Sequence, residues 1–312
     1  MKAMINKVYL EGYLYDHSLE RKVSGKNSKN PGTEYITGTI NIATDDACVN
    51  VVAVHYSYVT PITSKGKPSA SHKTLSGIID GEIKTIIRDG KDNASKVRVD
   101  TAIALNDFYT DRDGTTTLVS AKRNEGGFIH VEEAFQKKTE DQRNTFEVDM
   151  IINGVRHVDA NDEQKLPEKA IIKGGIFNYN KALLPVEFSA TDPDAIDYFE
   201  NLGASDKNPV FTKLWGVQIS TTIEKEYVEE SAFGNNRVKV VPNTRKDFII
   251  TGANREPYAW DDEGTITANE LTECMAARET YLATLKQAQE EYKASKNNAP
   301  AAPSVPTGGF TF

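Results

Sequence analysis

The chain has 312 residues, 38% of them hydrophobic and 26% charged, and a formal net charge of -8. No run approaches the ~20 apolar residues of a membrane span. Its two cysteines, Cys48 and Cys274, lie far apart with no CxxC pair, which argues against a disulfide framework or a zinc site and fits a reducing cytosol.

The length suits roughly two domains of ~100–200 residues each. Asn6, Lys7 and Glu11 break any apolar leader, so a cytoplasmic protein is expected. The acidity is uneven. Residues 1–130 carry 17 Lys+Arg and 15 Asp+Glu, residues 131–255 carry 16 and 21, and residues 256–312 carry 4 and 9. Net acidity disfavours nonspecific duplex binding but leaves room for a local basic groove.

Residues 5–15 alternate as a strand, then run into the loop RKVSGKNSKNPG with its four positive charges. GTEYITGTINIAT is a second strand, with Ile36, Ile40 and Ile42 on one face and Tyr35, Thr37, Thr39 and Asn41 on the other. VNVVAVHYSYV is a third, with Val52, Val54, Tyr56 and Tyr58 opposite Val51, Ala53, His55 and Ser57. After a second basic loop, TSKGKPSASHK, the spacing of Leu75, Ile78, Ile79, Ile83, Ile86 and Ile87 predicts a helix over 70–88. KVRVDTAIAL and TLVSAKRNEGGFIHV return to period two, with Gly126-Gly127 as a bulge.

The same order then recurs without sequence identity. TFEVDMIINGVRHV, EKAIIKGGIFNY and ALLPVEFSA are strands. DPDAIDYFENLG is a short helix capped by Asp192 and stopped at Gly203. PVFTKLWGVQISTTIE, read as alternating through Val217, Ile219 and Ile223, and RVKVVPNTRKDFIITG complete the second unit. Past Gly252 comes an acidic loop. The capping box Thr267/Glu270 then opens a helix to about Ala294, and residues 297–312 form an Ala/Pro/Gly/Ser-rich tail expected to be disordered.

Three strands, a helix and two strands is the element order of an oligonucleotide-binding (OB) barrel. The expected fold is mainly β with some α. It comprises an OB-like domain over 1–135 with basic loops, a second over 136–255, an acidic loop and helix over 256–296, and the tail. INKVYLEGYLYDHSLER, residues 5–21, resembles the opening of bacterial and phage single-stranded DNA-binding proteins. The matching positions are Asn6, Lys7, Val8, Gly12, Asp16, Leu19 and Arg21, and INIAT at 40–44 resembles the family's second strand. The likeness covers about 60 residues. The family usually has one OB domain and an acidic tail, whereas this chain has two units and no acid after Glu291.

The resemblance implies a protein that coats single-stranded DNA in replication or recombination, encoded by a phage or mobile element and acting in the host cytoplasm. Such binding needs cations for phosphates and π-faces for bases. Arg21, Lys22, Lys26 and Lys29 supply the first loop, and Lys65, Lys67 and Lys73 the second, beside His72. Tyr35 and either His55 or Tyr56 supply aromatic faces between them. Phe177, Tyr179, Lys181 and Trp215 extend the track into the second domain, unless Phe177 and Trp215 pack a core. Phe310 and Phe312 suit capture by a replication or recombination partner, as the terminal Phe of that family does. Membrane contact is not expected, and the oligomeric state is left open.

Enzyme signatures GxxxxGK[ST], HExxH and GxSxG do not occur. The five histidines lack ligand spacing, so no catalytic residue, metal or cofactor is predicted. The competing reading is a β-rich virion or assembly protein whose helix and tail make protein contacts.

Overall fold

The computed structural model describes residues 4–26, 28–112, 115–161, 166–261 and 265–297. The first unit contains β1 (Asn6–His17), β2 (Glu20–Val23), β3 (Glu34–Ala43), β4 (Val51–Val59), β5 (Lys96–Arg112) and β6 (Thr115–Glu132). Antiparallel ladders join β1 to β3, β3 to β4, β5 to β6 and β5 back to β1, and β4 pairs parallel with β6. The five strands therefore close on themselves in the OB order. Leu10, Leu14, Ile36, Ile40, Ile42, Val54 and Val97 fill the barrel. Each such side chain contributes about 1.5–3 kcal/mol on burial.

The periodicity of 70–88 predicts one helix, but the structure has two, α1 (Ala70–Ile79) and α2 (Ile86–Asp89). Gly81 adopts φ +82, which a helix cannot accommodate, and Thr85 caps the second piece. The first three residues of the predicted first loop, 21–23, belong to the short strand β2, paired with β3. The Gly126-Gly127 bulge is present as a register shift between Asp100 and Ala102.

The second unit repeats the plan with β7 (Asn144–Val158), β8 (Lys169–Phe177), β9 (Leu183–Ala190), α3 (Pro193–Asn201), β10 (Val210–Glu229) and β11 (Arg237–Ala253). Its ladders run β7–β8–β9 and β11–β10–β7, with β9 and β11 parallel, and close a second barrel. The predicted face of β10 is inverted. Leu214, Gln218 and Ser220 alternate inward and Ile219 is left 42% exposed, while the register shift opposite Trp215 and Gly216 places its extra residue on β11.

The two units are not independent. β1 pairs antiparallel with β7 from Asn6↔Val148 to Leu10↔Asn144, so one hydrogen-bonded sheet and one apolar cluster run through both barrels. The base of each long hairpin reaches the other barrel. Asn50 donates to Gln218 O and accepts from Ser220 N, and Asn124 pairs with Gln218. Lys122 Nζ donates to Glu187 O and lies 4.7 Å from the centroid of Phe188 and 4.3 Å from that of Phe248.

Burial pushes the Lys122 ammonium down to about 8, against the pull of Asp247 and Glu187. Above that pH the folded chain has released a proton that the unfolded chain holds until near 10.5, so folding gains stability as pH rises across this window. Thermal melts at pH 7.5 and 10 are expected to show wild type gaining on Lys122→Met over that interval. Parallel shifts in both proteins would refute the assignment.

The helix α4 (Ala268–Asn297) opens on the predicted capping box: Thr267 N donates to Glu270 Oε2 at 3.0 Å and Glu270 N to Thr267 Oγ1 at 3.2 Å. Leu271 and buried Cys274 pack with Ile151, Phe177, Leu183 and Phe211 on the outside of the second barrel. Further along, Arg278 forms a bidentate pair with Asp107 of β5 at 2.5 and 2.6 Å, Gln289 donates to Tyr109 O, and Lys293 meets Asp111. Among the described residues no helix is long and apolar enough to cross a membrane.

Candidate nucleic-acid interface

The exterior of the first barrel follows from its pairing. In a strand, alternate side chains leave on opposite faces. With Ile40, Ile42, Val52 and Val54 inside, Thr39, Asn41, Ala53 and His55 point out. At Gly38 the β3–β4 register shifts, so that Ile36 faces Val59 and Gly38 faces Tyr56. Gly38 adopts φ +130, and a Cβ there would run into the backbone of Ser18 and Leu19. The bulge turns Tyr58 outward, 45% exposed, against Tyr35, with ring centroids 4.5 Å apart and 36° between planes. Tyr58 is the aromatic that the alternation misses, and the signal for it is a glycine inside a strand.

Tyr56 is a correction. It is 1% exposed, burial raises its hydroxyl's pKa, and that hydroxyl has no hydrogen-bond partner among the described residues. It belongs to the core and offers no face to a base. His55 is the exterior member of that pair. Its ring meets Thr39 Oγ1 at 3.2 Å, and burial and Arg123 hold it below the usual histidine range, so it is neutral at pH 7.

The cations divide into tied and free. Arg21 makes a bidentate pair with Asp80 at the end of α1, at 2.9 and 2.6 Å, and Lys22 pairs with Glu20 at 2.9 Å. Exposed pairs of this kind are worth about 0–1 kcal/mol and can be exchanged for a phosphate. Lys22 also stands directly across from Tyr35 in the β2–β3 ladder.

Lys26 and Lys29 sit exposed in the loop 24–33 that enters β3, and Lys65 and Lys67 in the loop 60–68 that leaves β4. Because Ile36 pairs with Val59, both loops adjoin the same end of the barrel as Tyr35 and Tyr58. Ser24 Oγ and Tyr58 Oη, 3.1 Å apart, tie loop to ring. Lys73 is exposed in the first turn of α1, just beyond the second loop, whereas a ring nitrogen of His72, Nε2, is buried.

The exterior face continues across β6 and β5. His55 lies beside Glu125 in the parallel β4–β6 pairing, and Ala104 and Ala102 stand opposite Arg123 and Glu125. Arg123 pairs with Glu125 at 2.8 Å, and Ser57 donates to the same carboxylate. Three strand spacings take this surface about 14 Å from β3 to β5.

Of the second-barrel candidates, Tyr179 is fully exposed and Lys181 exposed in the β8–β9 turn. Trp215, partly exposed, lies against Gly252 and pairs with Glu147, away from the face just described. Phe177 is core. The outer side of β8 and β9, which corresponds to the Tyr35 face, is where α4 lies. Phe310 and Phe312 fall outside the described residues. No group of three or more His, Cys, Asp or Glu among the described residues could hold a metal ion.

A protein-family model described as YorF matches residues 5–288. No curated protein matches the chain. Among solved structures, a deletion mutant of the single-stranded DNA binding protein from Thermus aquaticus aligns with 9% identity and a TM-score of 0.45, covering 83% of this chain and 98% of that one. That likeness is too weak to argue from.

Proposed function

We propose that this chain, which belongs to the YorF family, binds single-stranded DNA along the exterior of its first barrel and coats single strands during replication or recombination. It acts by binding, not by catalysis. The observation that carries the reading is the Tyr35–Tyr58 pair, partly exposed on an OB barrel between two lysine loops. Strands 2–3 of an OB barrel and the loops beside them are where such folds take oligonucleotides. Stacked rings accept any base, and loop ammoniums accept the phosphates without reading sequence.

The resemblance of residues 5–21 and 40–44 to single-stranded DNA-binding proteins points the same way. The chain's net charge of -8 confines the binding to this local cluster.

The test is anisotropy of labelled oligo-dT over a salt series. The log–log slope is expected to be about -0.7 per neutralised phosphate. Lys26→Glu with Lys29→Glu should weaken binding and flatten the slope by about 1.4, the share of two phosphates. If neither quantity moves, the first loop does not hold the backbone. If wild type shows no binding, the reading falls.

A further inference from the structure

We propose that the recess between the β8–β9 turn and α4 holds one base of the bound strand, stacked between Tyr179 and Tyr281; this rests on the single-stranded DNA reading. The recess has a volume of about 430 Å³, enough for one planar heterocycle with its sugar. Its floor is apolar, from Ala102, Ile103 and Ala104 of β5. Tyr179 rises fully exposed from the turn, and Tyr281 is half-exposed on the helix. The recess opens onto the candidate interface, because Glu125 lines it while also accepting from Ser57, the neighbour of Tyr58. A strand lying across the β3–β4–β6–β5 exterior thus arrives at this recess.

The charge balance selects a base over a phosphate. The Nη atoms of Arg278 are committed to Asp107, and the Glu125 carboxylate at the rim is paired with Arg123, so neither ion pair offers a spare cation to a phosphate. A neutral aromatic ring meets two π-faces. Arg278 itself is 8% exposed, lies 5.6 Å from the Tyr281 centroid, and keeps a buried Nε donor with no partner among the described residues. The α4 helix thereby does two things: it lies over the outer side of the second barrel and contributes one wall of a site to the first barrel's track.

The test uses the full chain and oligo-dT carrying 5-iododeoxyuridine. After irradiation, cross-linked peptides are mapped, and affinities are measured for Tyr281→Ala and Tyr179→Ala. Both rings are exposed, so neither change should unfold the protein. Cross-links at Tyr281 or Tyr179 are expected, with affinity falling roughly five- to a hundred-fold, the worth of one base–aromatic stack, and the salt slope unchanged. Cross-links confined to Tyr35 and Tyr58, with both variants at wild-type affinity, would overturn the recess and leave the DNA reading standing. Absence of oligo-dT binding by wild type would remove both.

Discussion

Replacing Tyr35 and Tyr58 together with Ala is expected to weaken oligo-dT binding at least about thirty-fold while the salt slope stays within error of wild type. A stacked base is worth about 1–3 kcal/mol, and two bases lose their platforms, so even the low end of the range gives about 2 kcal/mol. The slope stays because it counts displaced counterions, and neither ring carries charge. The rings touch, so the two single changes should not add: removing one leaves the other free to shift into its place. Both rings project outward and the far-UV circular dichroism should not change. Tyr56→Phe is the control, since Tyr56 reaches only the core and its loss of a hydroxyl should leave affinity at the wild-type value. A loss below threefold in the double variant would mean that bases do not stack on this face.

The largest stability effect is expected at Asp107. Its side chain is 1% exposed. Burial pushes its pKa up, but the Arg278 fork and the Ser120 hydroxyl outweigh this and hold it below the usual carboxylate range. Asp107→Ala would leave the Arg278 guanidinium buried without a counter-charge, which costs about 3–5 kcal/mol. Urea unfolding should show that loss, and the first change should be release of α4, seen as faster amide exchange over 268–297. Replacing both partners, as Asp107→Leu with Arg278→Met, should recover most of the stability, because a matched apolar pair is often as good as a buried ion pair. A double variant no better than Asp107→Ala would show that the pair's hydrogen-bond geometry, not the orphaned charge, sets the cost.

What the sequence tells of this fold is whatever period two can carry. Ile36, Ile40 and Ile42 announce an inward face, and the order of strands and helices announces two barrels of one plan. The failures sit where backbone geometry breaks the period. One extra residue in β4, opposite Gly38, reverses Tyr58, and Gly81 cuts a helix whose isoleucines keep its spacing. Each of these glycines is visible in the sequence, but a glycine does not say whether a strand bulges or merely thins.

Contacts between distant residues were beyond reach altogether. Nothing near Asp107 names Arg278, 171 positions away, as its partner, and so the half of the recess built by Tyr281 is invisible until α4 is placed. The lysine loops were legible because exposed charge needs no partner to be noticed.

The β1–β7 ladder has a consequence for how such a molecule can change over time. Were each barrel a separate chain, a two-barrel particle would assemble by mass action and dissolve on dilution. Every substitution would also appear in both barrels at once. Covalent succession removes both constraints. The seam between Asn6–Leu10 and Asn144–Val148 is present at any protein concentration, and the halves are free to drift apart. One leaves open the surface that carries its tyrosines, and in the other a helix lies over the matching one. The asymmetry that a pair of identical subunits could reach only by breaking symmetry is here built into a single chain.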